Sequence, residues 1–369
     1  MSSIDYALEP MTLIYDPQGK YADEIRMFQG IPTVERTAGG RLWAAFYGGG
    51  TGENRENFVL VLYSDDDGKS WKHRLAVDMP DQAVRAYDPC LWISPAGDLW
   101  LFWAQTSCLN ENPTFDGRCG VWRAICKNPD DAEPMFSAPL RIANGVMMNK
   151  PIVTRDGTWL LPCAIWNFIR DFTYDLPEER YSNVYASYDH GESFALIGRS
   201  DYAERLIDEH MIVEREDGSL WMLIRAEKGI GEAFSTYGGK TWFDERDSGL
   251  GGPNSRFHIR RTRSGKLLLV NHYHFTDRNN LTAFLSDDDG KTWKGGLLLD
   301  GRSNVSYPDG AEDDCGNHYI IHDYDRYNAK EIVLSKVSEE DILAGELVTK
   351  GSYLRRMVCK ATGKMPEKA

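Results

Sequence analysis

Along the chain, short apolar runs alternate with polar, glycine-containing turns, and six of the runs follow one plan. A turn glycine leads into an aromatic-rich strand in "GRLWAAFY" from Gly40, "GDLWLFWA" from Gly97 and "GTWLLPCAIW" from Gly157. The plan recurs in "GSLWMLIR" from Gly218, "GKLLLVNHY" from Gly265 and "GNHYIIHDY" from Gly316. The successive spacings are 57, 60, 61, 47 and 51 residues, enough for a four-stranded meander each, and six such units close into a ring. The pattern predicts an all-β, six-bladed β-propeller over residues 1–350. "MTLIYD" near the start is expected to add an outer strand to the last blade, leaving no free edge. Residues 351–369 are expected to form a partly disordered C-terminal tail.

A second element trails each glycine strand by about a strand and a loop: "SDDDGKSW" from Ser64, "SYDHGESF" from Ser187, "STYGGKTW" from Ser235 and "SDDDGKTW" from Ser286. Blades two and six carry degraded versions. A calcium loop of EF-hand type would need Tyr63 as first ligand and Arg74 as twelfth, which fails. An Asp accepting backbone N–H groups in a tight turn, with Gly in a conformation closed to other residues and Trp packing between blades, explains the box without a metal. The form S-x-D-x-G-x-x-W resembles the Asp box of sialidase-type propellers.

The glycine turns and the boxes share one face of such a ring, so a site belongs on the other. That face collects the residues before each first strand, the ends of second strands and the starts of third strands. Nine residues before the repeat glycines stand Ile31, Asp88, Met148, Glu209, Arg256 and Tyr307, several of them followed by proline.

Here the resemblance becomes specific. "ERLIDEHMIVEREDGSLWMLIR" resembles the sialidase pattern in which a Glu precedes one strand and an Arg ends the next. "DRNNLTAFLSDDDGKTW" resembles the segment with a further Arg, and "NVSYPDG" the one bearing the catalytic Tyr. The matching positions are Glu209, Arg225, Arg278 and Tyr307. The resemblance implies a retaining exo-glycoside hydrolase of sialidase type with a Tyr nucleophile, acting on a terminal, acidic sugar such as a sialic acid. Glu209 would take the proton of Tyr307, and Arg225 and Arg278 would grip a substrate carboxylate. The partner is then a glycan end, and no cofactor or metal is implied.

Two departures stand out. The F-R-I-P arginine of sialidases is replaced, since the chain reads "FQGIP" with Gly30 in its place. One lost guanidinium removes roughly 1.5–3 kcal/mol of charge-assisted bonding, for which Lys150, Arg26 or Arg55 would have to compensate. The usual acid in the loop "YGGGTGENRENF" is also absent; Glu56 is the favoured replacement, with Glu53 and Asp88 behind it. Asp88, Lys150, His210, Gln105 and His272 are further candidates for substrate contacts. Trp103, Trp166 and Asn167 end their strands where a sugar could stack, and "DYDR" (323–326) reads as a salt-linked loop. The histidines 210, 272 and 274 keep a polysaccharide lyase as an alternative, beside hydrolysis of another uronic or neutral sugar and a non-catalytic glycan-binding propeller.

Charge and cysteine content narrow the setting. A net charge of −14 disfavours a nucleic-acid surface, and no apolar run reaches the about 18 residues of a membrane span. Seven Cys without CxxC spacing fit reduced thiols better than a disulfide framework or zinc site. The first residues lack a secretory pattern, so a cytoplasmic protein is expected unless a leader has been removed; the oligomeric state is left open.

Overall fold

The computed structural model describes residues 5–108, 118–166 and 176–365. Six antiparallel sheets carry the six predicted units in chain order. Blade one holds Gln29–Arg36, Leu42–Gly48, Phe58–Ser64 and Lys72–Asp78; blade six holds Val305–Glu312, His318–Tyr324, Glu331–Val337 and Tyr353–Lys360. Second strands such as Leu42–Gly48, Leu99–Ser107 and Leu220–Arg225 are buried throughout, because both their faces are covered by neighbouring blades. They therefore read as continuous apolar runs, and these are the runs that reveal the repeat. Outer strands are the least covered: Phe243–Asp247 is exposed along its whole length.

The boxes are turns. Asp66 Oδ1 accepts from the backbone N–H groups of Lys69 (3.0 Å) and Ser70 (2.9 Å), and Asp189 and Asp288 repeat the bond to residues 193 and 292. Gly68 has φ 78°. The box aromatics Trp71, Phe194, Trp242 and Trp293 pack on the apolar clusters between consecutive blades. In blade six the box gives way to a helix, Glu339–Ala344, whose capping box joins Ser338 and Asp341.

Ring closure differs from the expectation. Thr12–Tyr15 pairs with Lys72–Asp78 and gives blade one a fifth strand. Blade six completes itself with Tyr353–Lys360, so this part of the segment expected as a tail is a sheet strand; residues 366–369 lie outside the described residues. Among the described residues no strand is shared across the joint between blades one and six; side chains tie it, with backbone bonds from Thr362 N to the Asp23 carbonyl (2.7 Å) and from Gly363 N to the Arg26 carbonyl (3.0 Å). Asp323 Oδ2 accepts from Ile31 N (2.9 Å), Tyr319 Oη donates to Asp67 (2.8 Å), and Asp309 Oδ2 accepts from Thr33 Oγ1 (2.7 Å) and Val34 N (3.0 Å).

Asp309 is the hub of a buried network that touches every blade. It meets Lys150 Nζ at 3.1 Å, His258 Nδ1 at 3.4 Å and Arg256 Nη2 at 3.5 Å. Lys150 donates to the carbonyls of Val34 and Leu91, both at 2.7 Å, and pairs with Glu35 at 2.8 Å. Arg256 donates to Asn149, and Asn149 to the carbonyls of Glu209 and His210. Lys150 is thus a structural cation of the channel wall with every donor committed, not a substrate contact.

Candidate active site

Three blades share a local device that builds the site. The first strands of blades one, two and six each slip register at an X-Pro pair: between Gly30 and Thr33, Tyr87 and Cys90, and Ser306 and Asp309. The residue before each proline is left-handed: Ile31 (φ 58°), Asp88 (φ 47°) and Tyr307 (φ 56°). Proline brings no N–H that the ladder must satisfy, so the bulge sits there. A left-handed conformation at a non-glycine residue costs about 1–3 kcal/mol and turns the side chain out of its alternating place.

Tyr307 is so presented, and the predicted partners meet it. Its hydroxyl donates to Glu209 Oε1 at 3.3 Å and accepts from Arg225 Nη1 at 3.3 Å. Arg225 Nη1 also pairs with Glu209 Oε2 at 2.7 Å. Asn254 holds two cations: its side-chain oxygen accepts from Arg225 Nε (2.7 Å) and its carbonyl from Arg278 Nη2 (2.9 Å). The Arg278 guanidinium lies 5.3 Å from the centre of the Tyr307 ring. Burial raises the Tyr307 phenol, the Glu209 charge adds to the rise, and Arg225, Arg278 and Arg326 oppose it. The phenol therefore keeps its proton at rest, and Glu209 is the carboxylate in hydrogen-bond contact with it.

A residue read from the sequence as part of a salt-linked loop joins this group. The Arg326 guanidinium lies 5.1 Å from the Tyr307 ring centre and pairs with Glu53 at 2.8 Å. Its stem runs through the space beside Gly30: a Cβ at position 30 would lie 2.6 Å from Arg326 Cγ and 3.0 Å from Asp323 Oδ2. Neither proposed substitute from the early chain takes part in this cluster. Arg26 is buried against the Tyr21 carbonyl, Asp23, Gln29 and Cys359, and Arg55 is exposed. Arg85 was not anticipated. It is buried near the Tyr47 and Tyr87 rings, with no hydrogen-bond partner for Nε or Nη2 among the described residues; its place three residues before Asp88 was the available signal.

The carboxylate candidates separate. Glu56, the favoured acid, is exposed, with its carboxylate folded back on the turn at Gly50. Glu53 is committed to Arg326. Asp88 is 2% exposed; burial pushes its carboxyl well above the ordinary range, Glu209 and Glu53 add to this, and Arg85 and Arg256 oppose it. Of the three, Asp88 is the carboxyl whose burial favours the protonated form.

Several expected substrate contacts are structural. Gln105 Nε2 donates to the carbonyls of Ala7 (3.0 Å) and Glu9 (2.7 Å), pinning the N-terminal turn. The His210 ring bonds the Asn183 carbonyl and the His272 ring the Asn279 carbonyl, while His274 lies on Tyr273. Each of these histidines is thus held by a different local partner. Trp103 is core and Trp166 meets the edge of Tyr87; Asn167 lies outside the described residues. One set of metal-type ligands approaches closely among the described residues, Asp23, His73 and Cys359. Arg26 already occupies it, 3.0 Å from Cys359 Sγ, and disfavours a cation there.

Burial pushes His210, His272 and His318 down to about 4. An unfolded chain takes up protons on these groups below about pH 6.5, whereas the folded protein does not. Their stabilising contribution is thus complete above pH 6.5 and is lost as pH falls towards 4. Denaturation midpoints should drop across that window, with a slope of up to about 1.4 kcal/mol per pH unit for each histidine. A flat profile from pH 7 to 4.5 would contradict their neutral burial.

Comparison with known proteins follows the same lines. A model of the BNR repeat-like domain matches residues 40–320. No curated protein matches the chain. Among solved structures, the Hadza microbial sialidase Hz136 superposes with a TM-score of 0.68 at 19% identity, covering 86% of this chain and 66% of that one. The chain therefore spans about two thirds of that sialidase. A leech intramolecular trans-sialidase gives 0.67 at 15% identity, with 91% and 71% covered. The intramolecular trans-sialidase of Ruminococcus gnavus gives 0.66 at 14%, with 90% and 98% covered. At these identities the likeness is one of fold. The chain belongs to the BNR repeat-like domain family, and its six-bladed propeller is a sialidase fold.

Proposed function

We propose that this protein is a retaining exo-glycoside hydrolase of sialidase type, acting on a terminal acidic sugar. The observation that carries the reading is the contact of Tyr307 Oη with both Glu209 and Arg225, inside a cluster of guanidinium groups. The phenol oxygen attacks the anomeric carbon while Glu209 takes the phenolic proton. Asp88 gives its proton to the departing glycosidic oxygen, so the sugar is left on Tyr307 as an aryl glycoside. Water then attacks the same carbon, Asp88 takes the water's proton, and Glu209 returns a proton to the leaving phenolate. Two displacements at one carbon retain its configuration.

Incubation with 4-nitrophenyl glycosides of sialic acid, uronic acids and neutral sugars tests this directly. The expected result is release of nitrophenol from an acidic glycoside, with the retained anomer as first product by NMR. An inverted first product, or an unsaturated sugar absorbing in the ultraviolet, would refute it. The acid assignment has its own check. Asp88→Asn should lower kcat/KM for alkyl glycosides about 10²–10⁴-fold while scarcely affecting kcat/KM for nitrophenyl glycosides, whose leaving groups need no proton; their steady-state turnover should fall only through the second step, where Asp88 takes the water's proton. Equal losses on both would remove Asp88 from the acid role.

A further inference from the structure

Resting on that reading, we propose that Arg326 and Gly30 are a paired exchange. Arg326, entering from the loop after the second strand of blade six, supplies the carboxylate-binding guanidinium that the sequence lacks at position 30, and so decides the site's preference for acidic sugars.

The geometry supports this at both ends. A side chain at position 30 is incompatible with the observed path of Arg326, whose Cγ would lie 2.6 Å from the Cβ. The observed course of Arg326 therefore requires the absence of a side chain at position 30. The Arg326 head reaches the catalytic tyrosine on a par with Arg278, at 5.1 Å against 5.3 Å from the ring centre. Asp323 fixes the base of the arrangement: its Oδ2 accepts from Ile31 N (2.9 Å), its Oδ1 from Ser306 Oγ (2.7 Å), and Arg326 Nε stands 4.0 Å away. The other partner of Arg326, Glu53, has a side chain 41% exposed, so a ligand can displace it without breaking buried structure.

Three guanidinium groups converge on Tyr307, Arg225 at its hydroxyl and Arg278 and Arg326 near its ring. Guanidinium forks bind a carboxylate in bidentate fashion, so the cluster suits an acidic sugar even in a chain of net charge −14.

The test is a relocation of charge. Binding of 2,3-didehydro-2-deoxy-N-acetylneuraminic acid, 4-nitrophenyl glucuronide and their methyl esters is measured by calorimetry. The subjects are the wild type, Arg326→Ala, Arg326→Lys and the double variant Gly30→Arg/Arg326→Ala. The wild type should prefer at least one acid over its ester, and Arg326→Ala should reduce that preference about 10- to 100-fold. Arg326→Lys should restore only part of it, since an ammonium lacks the fork. The double variant should recover most of it by returning the guanidinium to the first blade. Circular dichroism of each variant separates misfolding from lost recognition, and a folded Arg326→Lys decides the matter if the alanine variants do not fold. No acid-over-ester preference in the wild type, or a preference indifferent to Arg326, overturns the proposal. The two ideas fail separately. Tyr307-dependent hydrolysis of neutral glycosides alone would leave the hydrolase chemistry and sink this inference. An Arg326-dependent acid preference without any turnover would do the reverse.

Discussion

Tyr307→Phe should leave the propeller folded and lower turnover by about 10⁴-fold or more, the scale seen when a covalent nucleophile is deleted. The change removes one oxygen. The ring keeps Arg278 and Arg326 within 5.3 Å of its centre, and the left-handed backbone before Pro308 is unaltered. Stability should change little, because the lost hydroxyl bonds are long, both 3.3 Å, and the Arg225–Glu209 pair at 2.7 Å persists without it. Glu209→Gln should cost about 10²–10⁴-fold by a different route: the phenol, raised by burial, keeps its proton and remains a weak nucleophile. The two losses should not multiply in the double variant, since both residues serve the same step. Single-turnover kinetics with a nitrophenyl glycoside, alongside thermal denaturation, reads both quantities. Near-normal rates in Tyr307→Phe would mean that the cluster around it is architecture rather than chemistry.

The largest effect on stability should come from Asp309→Ala. Burial alone would raise this carboxyl, but Lys150, His258 and Arg256 together hold it well below the usual range, so it is a buried anion among buried cations. Removing it strands Lys150 and Arg256 with only Glu35 and neutral acceptors, the situation in which breaking a buried pair costs about 3–5 kcal/mol. It also deprives Thr33 and Val34 of their acceptor across the joint of blades one and six. The expected loss is on the order of 5–10 °C in Tm. Asp309→Asn should cost less, because its amide oxygen can still accept from Val34. A depressed carboxyl gives stability that is present above its unfolded value near 4 and lost as pH falls through that range; the Asn variant should therefore be less sensitive to acid below pH 4 than the wild type. An Asp309→Ala protein with unchanged Tm would show that the network carries no net stabilisation.

What could be read in the sequence follows from which groups the repeat aligns. Second strands are covered on both faces, so their composition gives away the count of blades, and the boxes mark turns whose bonds are local. Glu209 and Tyr307 share one repeat position nine residues before the turn glycine, Arg225 ends a second strand and Arg278 precedes a third, and all three kinds of position open on one face, so alignment by the repeat brought the four together. Long-range partners are invisible to such an alignment. Nothing near Gln105 in the chain shows that it meets the carbonyls of Ala7 and Glu9, and nothing near Lys150 shows that Val34 and Leu91 will saturate it. Gly30 looked like a loss because the strand carrying it was read alone, whereas its compensation comes from the other end of the ring. The first strand, Thr12–Tyr15, was assigned to the wrong blade because either outer edge would accept its alternating pattern; the register with Lys72–Asp78 is a tertiary choice.

The joint between blades one and six also sets when the site can exist during synthesis. Gly30 and Glu53 leave the ribosome with the first blade, Asp88 with the second, Glu209 and Arg225 with the fourth. Tyr307 and Arg326 emerge only with the sixth. Tyr307 meets Glu209 and Arg225 only when the newest part of the chain docks on the older blades. A nascent chain that has built five blades already holds Glu209 and Arg225 and still lacks the phenol hydroxyl they bond.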